Sequence, residues 1–156
     1  MNGFPTEGLL SPVTPDIGNL DEITPADPAA GVNLTVDLGR QKWIVLRSLM
    51  VTLTTDNNAA NRLLTVDYLA RGGLAVMRNA ATVLVTASTT NQVFQFDNQH
   101  TVSEWNTGTP IFAPLQPVFL PAGWQVRVTV DSIQVGDQLA TCRILCERYY
   151  DWREEG

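Results

Sequence analysis

The sequence predicts an all-β protein, an eight-stranded, jelly-roll-like β-sandwich with an extended N-terminal arm. Two observations predict the sandwich. Apolar residues recur at every second position in run after run, and clusters of Gly, Pro, Asn and Asp separate the runs. A third predicts the arm: Pro5, Pro12, Pro15, Pro25 and Pro28 all fall within the first thirty residues. The expected organisation is an arm over 1–31, a sandwich over 32–150 and a short tail over 151–156.

Proline fixes φ and removes an amide donor, so the first segment can be neither a central strand nor a sustained helix. It nevertheless carries spaced apolar residues, Phe4, Leu9, Leu10, Val13, Ile17, Leu20 and Ile23, which a purely solubilising tail would not need. These are expected to anchor the arm in grooves of neighbouring subunits, with a disordered terminus as the alternative.

Strands follow in order. Val32, Leu34, Val36 and Leu38 alternate with polar residues, as in a strand with one wet face. The run from Trp43 to Thr54 puts Trp43, Val45, Leu49, Val51 and Leu53 on one face and Ile44, Leu46 and Met50 on the other, which reads as a central strand. The loop 55–61 has Asx turn chemistry, and the strand after it, with Leu64, Val66 and Tyr68, is expected to form a hairpin with the run before it. Gly72 and Gly73 break the chain. A weaker apolar piece at 74–77, a strand over 82–87 and a short partner over 93–96 are expected next. Four prolines between residues 109 and 121 mark an edge or a sheet-crossing connection. Trp124 to Asp131 alternates cleanly, and Leu139 to Arg148 places Cys142, Ile144 and Cys146 on one face. An immunoglobulin-type sandwich fits less well, because the cysteine spacing lacks that fold's inter-sheet pair.

Charge is segregated. Glu7, Asp16, Asp21, Glu22, Asp27 and Asp37 lie before the first Lys or Arg, so the whole net charge of -6 belongs to the N-terminal quarter. An acidic arm on a neutral body argues against direct nucleic-acid binding, which needs clustered cations. No apolar run is long enough for a membrane span. The first residues lack the basic and apolar regions of a signal peptide, so synthesis in a cytoplasm is expected. Cys142 and Cys146, four apart in a strand, would stand about 13 Å from each other, too far to bridge, and are expected as buried thiols.

No catalytic constellation, cofactor motif or metal set emerges. His100 is the single histidine and has no nucleophile motif beside it. Asp56, Asp131 and Asp137 sit in oxygen-rich loops but match no calcium loop, so turn capping is the better reading. Trp43 and Trp124 share faces with strand valines and are expected in the core. Trp105, in a polar loop, and Trp152, beside Tyr149 and Tyr150, are expected at an interface.

Taken together in order and spacing, Trp43 to Leu49, Ala60-Asn61-Arg62, Phe119 to Trp124 with Val126-Arg127-Val128, and Ile133 to Asp137 resemble small structural proteins of tailed bacteriophages. The resemblance runs over about residues 36–148. It implies a virion protein, assembled in the host cytoplasm, that binds the major capsid protein as a cement or decoration subunit. Self-association as a homotrimer is expected with it. A carbohydrate- or receptor-binding module of a head fibre, neck or tail is the alternative, with Trp105, Tyr149, Tyr150 and Trp152 around a groove. A small hydrolase is the weakest, given the scarcity of His, Cys and paired acids.

Overall fold

A computed structural model describes residues 18–39, 43–97 and 110–149. Within them the protein is all-β, two sheets packed as a sandwich over one core, with ten strands rather than eight. The additional ones are β1 (Asn19–Ile23), in the proline-rich segment, β7 (Ile111–Pro114) and the two-residue β8 (Phe119–Leu120), while residues 82–87 form no strand.

The six-stranded sheet has the order β1, β10 (Gln138–Tyr149), β3 (Trp43–Thr54), β6 (Gln92–Asp97), β7 (Ile111–Pro114), with β8 pairing the start of β3. The four-stranded sheet has the order β2 (Leu34–Asp37), β9 (Gln125–Asp131), β4 (Leu63–Leu69), β5 (Ala75–Ala80). Prolines mark the margins as the sequence suggests. β1 is an edge strand, and β7, bounded by Pro110 and Pro114, is the opposite edge, running parallel to β6.

Two bulges decide which residues face the core. In the ladder of β3 with β10, Ser48 pairs Leu145 and Leu46 pairs Cys146, so Arg47 is an extra residue on β3. An extra residue shifts a period-two pattern by one position, and side chains beyond it change face. Ile44 and Leu46 therefore join the same core as Leu49, Val51 and Leu53. Most of the apolar residues at both parities arise from this shift, and Val45, which faces outward, is covered by its neighbours. Trp43 consequently points outward and is 49% exposed, which corrects its expected place in the core; Trp124 does pack against the core.

The second bulge opposes Thr141 and Cys142 to Val51, bringing Leu139 and then Cys142, Ile144 and Cys146 inward. Both cysteines are free and buried. Thr141 adopts φ 52°, a left-handed conformation costly for a β-branched residue, and its N–H donates to Asp27 Oδ1 at 2.8 Å. Thr141 is exposed, and its backbone bond survives substitution. Thr141→Gly is therefore expected to raise the unfolding free energy by about 1 kcal/mol, measured by urea titration.

Three pairings differ from expectation. β3 and β4 are not a hairpin; they lie in opposite sheets, and residues 55–61 cross the sandwich between them. β4 instead turns through Gly72 (φ 90°) and Gly73 (φ 83°) into β5, so the strand occupies Ala75–Ala80 and residues 82–87 retain one isolated bridge, Arg62 to Val85. β6 pairs β3 and β7 rather than that segment.

Candidate protein-interaction face

The charged groups inside the sandwich serve structure. Arg62 is fully buried where the chain crosses between sheets. Its Nε and Nη2 donate to Asp137 at 2.9 Å each, Nη2 also to Asp56 at 2.6 Å, and Nη1 to the carbonyl oxygens of Asn58 and Ala60. Asp56 also caps its own turn by accepting from the Asn58 N–H. The oxygen-rich loops thus close around an arginine. On the four-stranded sheet's outer face, Asp67 is buried beneath Arg78 (2.7 Å) and Arg127 (3.1 Å).

Burial alone would raise both carboxyls. Arginine hydrogen bonds outweigh it, joined at Asp137 by the backbone amides of Gln134 and Asp56, and hold Asp67 and Asp137 below the usual carboxylate range. A depressed folded value contributes stability that is present above the unfolded value of about 4 and lost as pH falls through the folded one. Thermal midpoints are therefore expected to fall with acidification below about pH 4. An Asp67→Asn/Asp137→Asn variant should be less stable at neutral pH and lose less on acidification.

Reactive groups are similarly restrained. Burial pushes the Cys142 thiol up to about 12 and raises Cys146 as well, which disfavours a thiolate nucleophile. Among the described residues no group of three or more His, Cys, Asp or Glu is placed to hold a metal, and no helix is long and apolar enough to cross a membrane. An open cleft of about 620 Å³ is lined by Asp37, Arg71, Gly72, Gly73, Gly123 and Gln125. Arg71 there donates to the Ala122 carbonyl.

The outer face of the six-stranded sheet is different. Residues directly opposite each other on antiparallel strands share a face. Trp43 pairs Tyr149, and Val45 lies between Glu147 of β10 and Phe119 of β8. Leu20 of β1 pairs Glu147 from the other side. Because Ile44, Leu46, Leu120 and Cys146 point into the core, these alternating residues point out. The result is a row across four strands, Leu20, Glu147, Val45 and Phe119, with Trp43 and Tyr149 beside it at the sheet's end. Phe119 and Tyr149 meet with ring centroids 5.2 Å apart, tilted by 56°. Leu20 is 66% and Phe119 56% exposed, whereas Val45 is 3% exposed, so the patch has a covered centre and an open apolar rim.

Polar groups frame it. The bulged Arg47 binds Glu147 through both Nε, at 2.8 Å, and Nη2. Burial, then the Glu147 carboxylate, raises the Tyr149 phenol, so it stays neutral and can donate. Arg143 lies 3.8 Å from Glu22 at a shallow hollow also lined by Ser48, Met50, Gln95 and Leu145. Arg148 pairs Asp21 at 2.5 Å on the core side of β1.

Of the sequence-derived interface residues, Leu20 lies on this face, and Ile23 packs against the chain's own core. Phe4, Leu9, Leu10, Val13, Ile17, Trp105 and Trp152 lie outside the described residues, as do His100 and Tyr150. Trp43 and Phe119 were not anticipated here. The available signal was Arg47, a charge on the face that simple alternation assigns to Leu49 and Val51. No protein-family model, curated protein or solved structure matches this chain.

Proposed function

We propose that this protein is a non-catalytic subunit of a large assembly and acts by binding other protein surfaces. The observation that carries the reading is the aromatic and aliphatic row of Leu20, Phe119, Trp43 and Tyr149 on a rigid sheet face. Exposed aromatic and aliphatic side chains accompanied by Arg are the composition of protein interfaces. A sheet face supplies such a surface without the loop ordering that would weaken binding.

The finer reading is a capsid cement or decoration protein of a tailed bacteriophage, bound to the major capsid protein and associating as a homotrimer in the virion. Its support is the sequence resemblance over residues 36–148, the acidic arm and the absence of a cation cluster suited to nucleic acid. A subunit that binds only the assembled shell stabilises that shell by mass action. Quantitative composition of washed particles from the encoding virus tests it. The chain is expected in hundreds of copies per particle; its absence would overturn the assembly reading, and a dozen copies or fewer would move it to the neck or tail. Glycan-array binding by the isolated chain, abolished by Trp43→Ser, would support the carbohydrate-binding alternative instead.

A further inference from the structure

We propose that the outer face of the six-stranded sheet receives the N-terminal segment, residues 1–17, of a second copy of this chain. The proposal rests on the reading of that face as an interface and names its occupant. Four observations converge on it.

The first is where the segment joins the body. Asn19 pairs Arg148, so β1 enters the sheet at the end where Trp43 and Tyr149 lie. Gly18 passes so close to Glu147 that a Cβ on it would come 2.2 Å from Glu147 Cγ. β1 runs along the edge of the sheet and begins at that end, so seating residues 1–17 on the chain's own face would require the chain to reverse direction next to Gly18.

The second is reach. Seventeen extended residues span at most roughly 55–60 Å, whereas β10, twelve residues long, spans about 40 Å. The arm is long enough to lie across a neighbour's face.

The third is chemistry. Phe4, Leu9, Leu10, Val13 and Ile17 supply apolar side chains along the segment, and Pro5, Pro12 and Pro15 lower the entropy lost on docking. The face offers Phe119, Trp43 and Leu20 to receive them.

The fourth is charge. Residues 1–17 contain Glu7 and Asp16 and no Lys or Arg. The face is bordered by Arg47 and Arg143, which are paired with Glu147 and Glu22 yet keep 38% and 60% of their side chains exposed, so each can also take an acidic group of the incoming segment. Opposite signs at the rim favour encounter and register.

An arm of one copy seated on the face of the next is a head-to-tail contact, and such contacts close into a ring, of three copies among others, when the rotation between neighbours allows it. This supplies a physical basis for a homotrimer.

Complementation between two full-length variants tests the proposal by sedimentation. The arm variant is Leu9→Ser/Leu10→Ser/Val13→Ser; the face variant is Trp43→Ser/Phe119→Ser. Wild type is expected to associate beyond the monomer. Each variant alone should associate at least about a hundredfold more weakly, as loss of paired hot-spot side chains produces. An equimolar mixture should form a one-to-one dimer, because one variant keeps its face and the other its arm. A monomeric wild type, a variant that associates like wild type, or a mixture that stays monomeric would each overturn the proposal. Both substituted face residues are about half exposed, so unfolding midpoints should hold; should the face variant not fold, the arm variant alone decides. Failure here with the chain still abundant in washed particles would remove the arm exchange and leave the assembly reading standing.

Discussion

Arg62→Ala is expected to destabilise the fold by about 3–5 kcal/mol, a large part of the total stability of a domain this size. The guanidinium makes five hydrogen bonds with no solvent contact, and they join the crossing loop to the turn before β10. Its removal leaves the Asp137 carboxylate buried, keeping only the backbone amides of Asp56 and Gln134 as donors. An uncompensated buried charge is the larger part of the expected loss. Arg62→Lys should fail nearly as badly, because one ammonium cannot present the planar fork that serves two carboxylates and two carbonyls. Arg62→Met/Asp137→Leu should cost less than the sum of its single substitutions. Urea titration reads all of these; an Arg62→Ala variant within 1 kcal/mol of wild type would refute the role assigned to the network.

Phe96→Ala is the second large effect, about 3–5 kcal/mol. Phe96 is fully buried near the end of β6, opposite Leu49 on one side and Ala113 on the other. Small neighbours such as Ala113 cannot expand into the void, so the lost transfer energy and the cavity both count. Phe96→Leu should cost roughly half as much, and the denaturant slope should be unchanged if the unfolded state is the same.

Alternation alone located most strands, because a half-buried strand must alternate. Leu34 to Asp37 and Gln125 to Asp131 follow that rule without interruption and are strands. Pairing was not legible. The loop 55–61 looks like a hairpin turn, yet its Asp56 closes onto Arg62, which is also held by Asp137, 75 residues further along the chain. Local turn chemistry carries no information about so distant a partner. The outward face was hidden for a related reason. A bulge at Arg47 is set by register with β10, and it moves Trp43 from the expected core to the surface. Cys142 and Cys146 share a face as read, and their burial as free thiols follows from it. Proline placement kept Asn19–Ile23 out of the strand assignments, although an edge strand tolerates such flanks.

The central claim is that the Trp43 and Phe119 face is covered in the assembled state. Hydroxyl-radical labelling read by mass spectrometry tests it most directly, comparing the dilute free chain with the chain in purified particles. Trp43, Phe119 and Tyr149 should be labelled several-fold more slowly in particles, while Leu74 and Val76, exposed on the other sheet's hairpin, should label equally in both. Equal labelling of Trp43 and Phe119 in the two states would contradict the account.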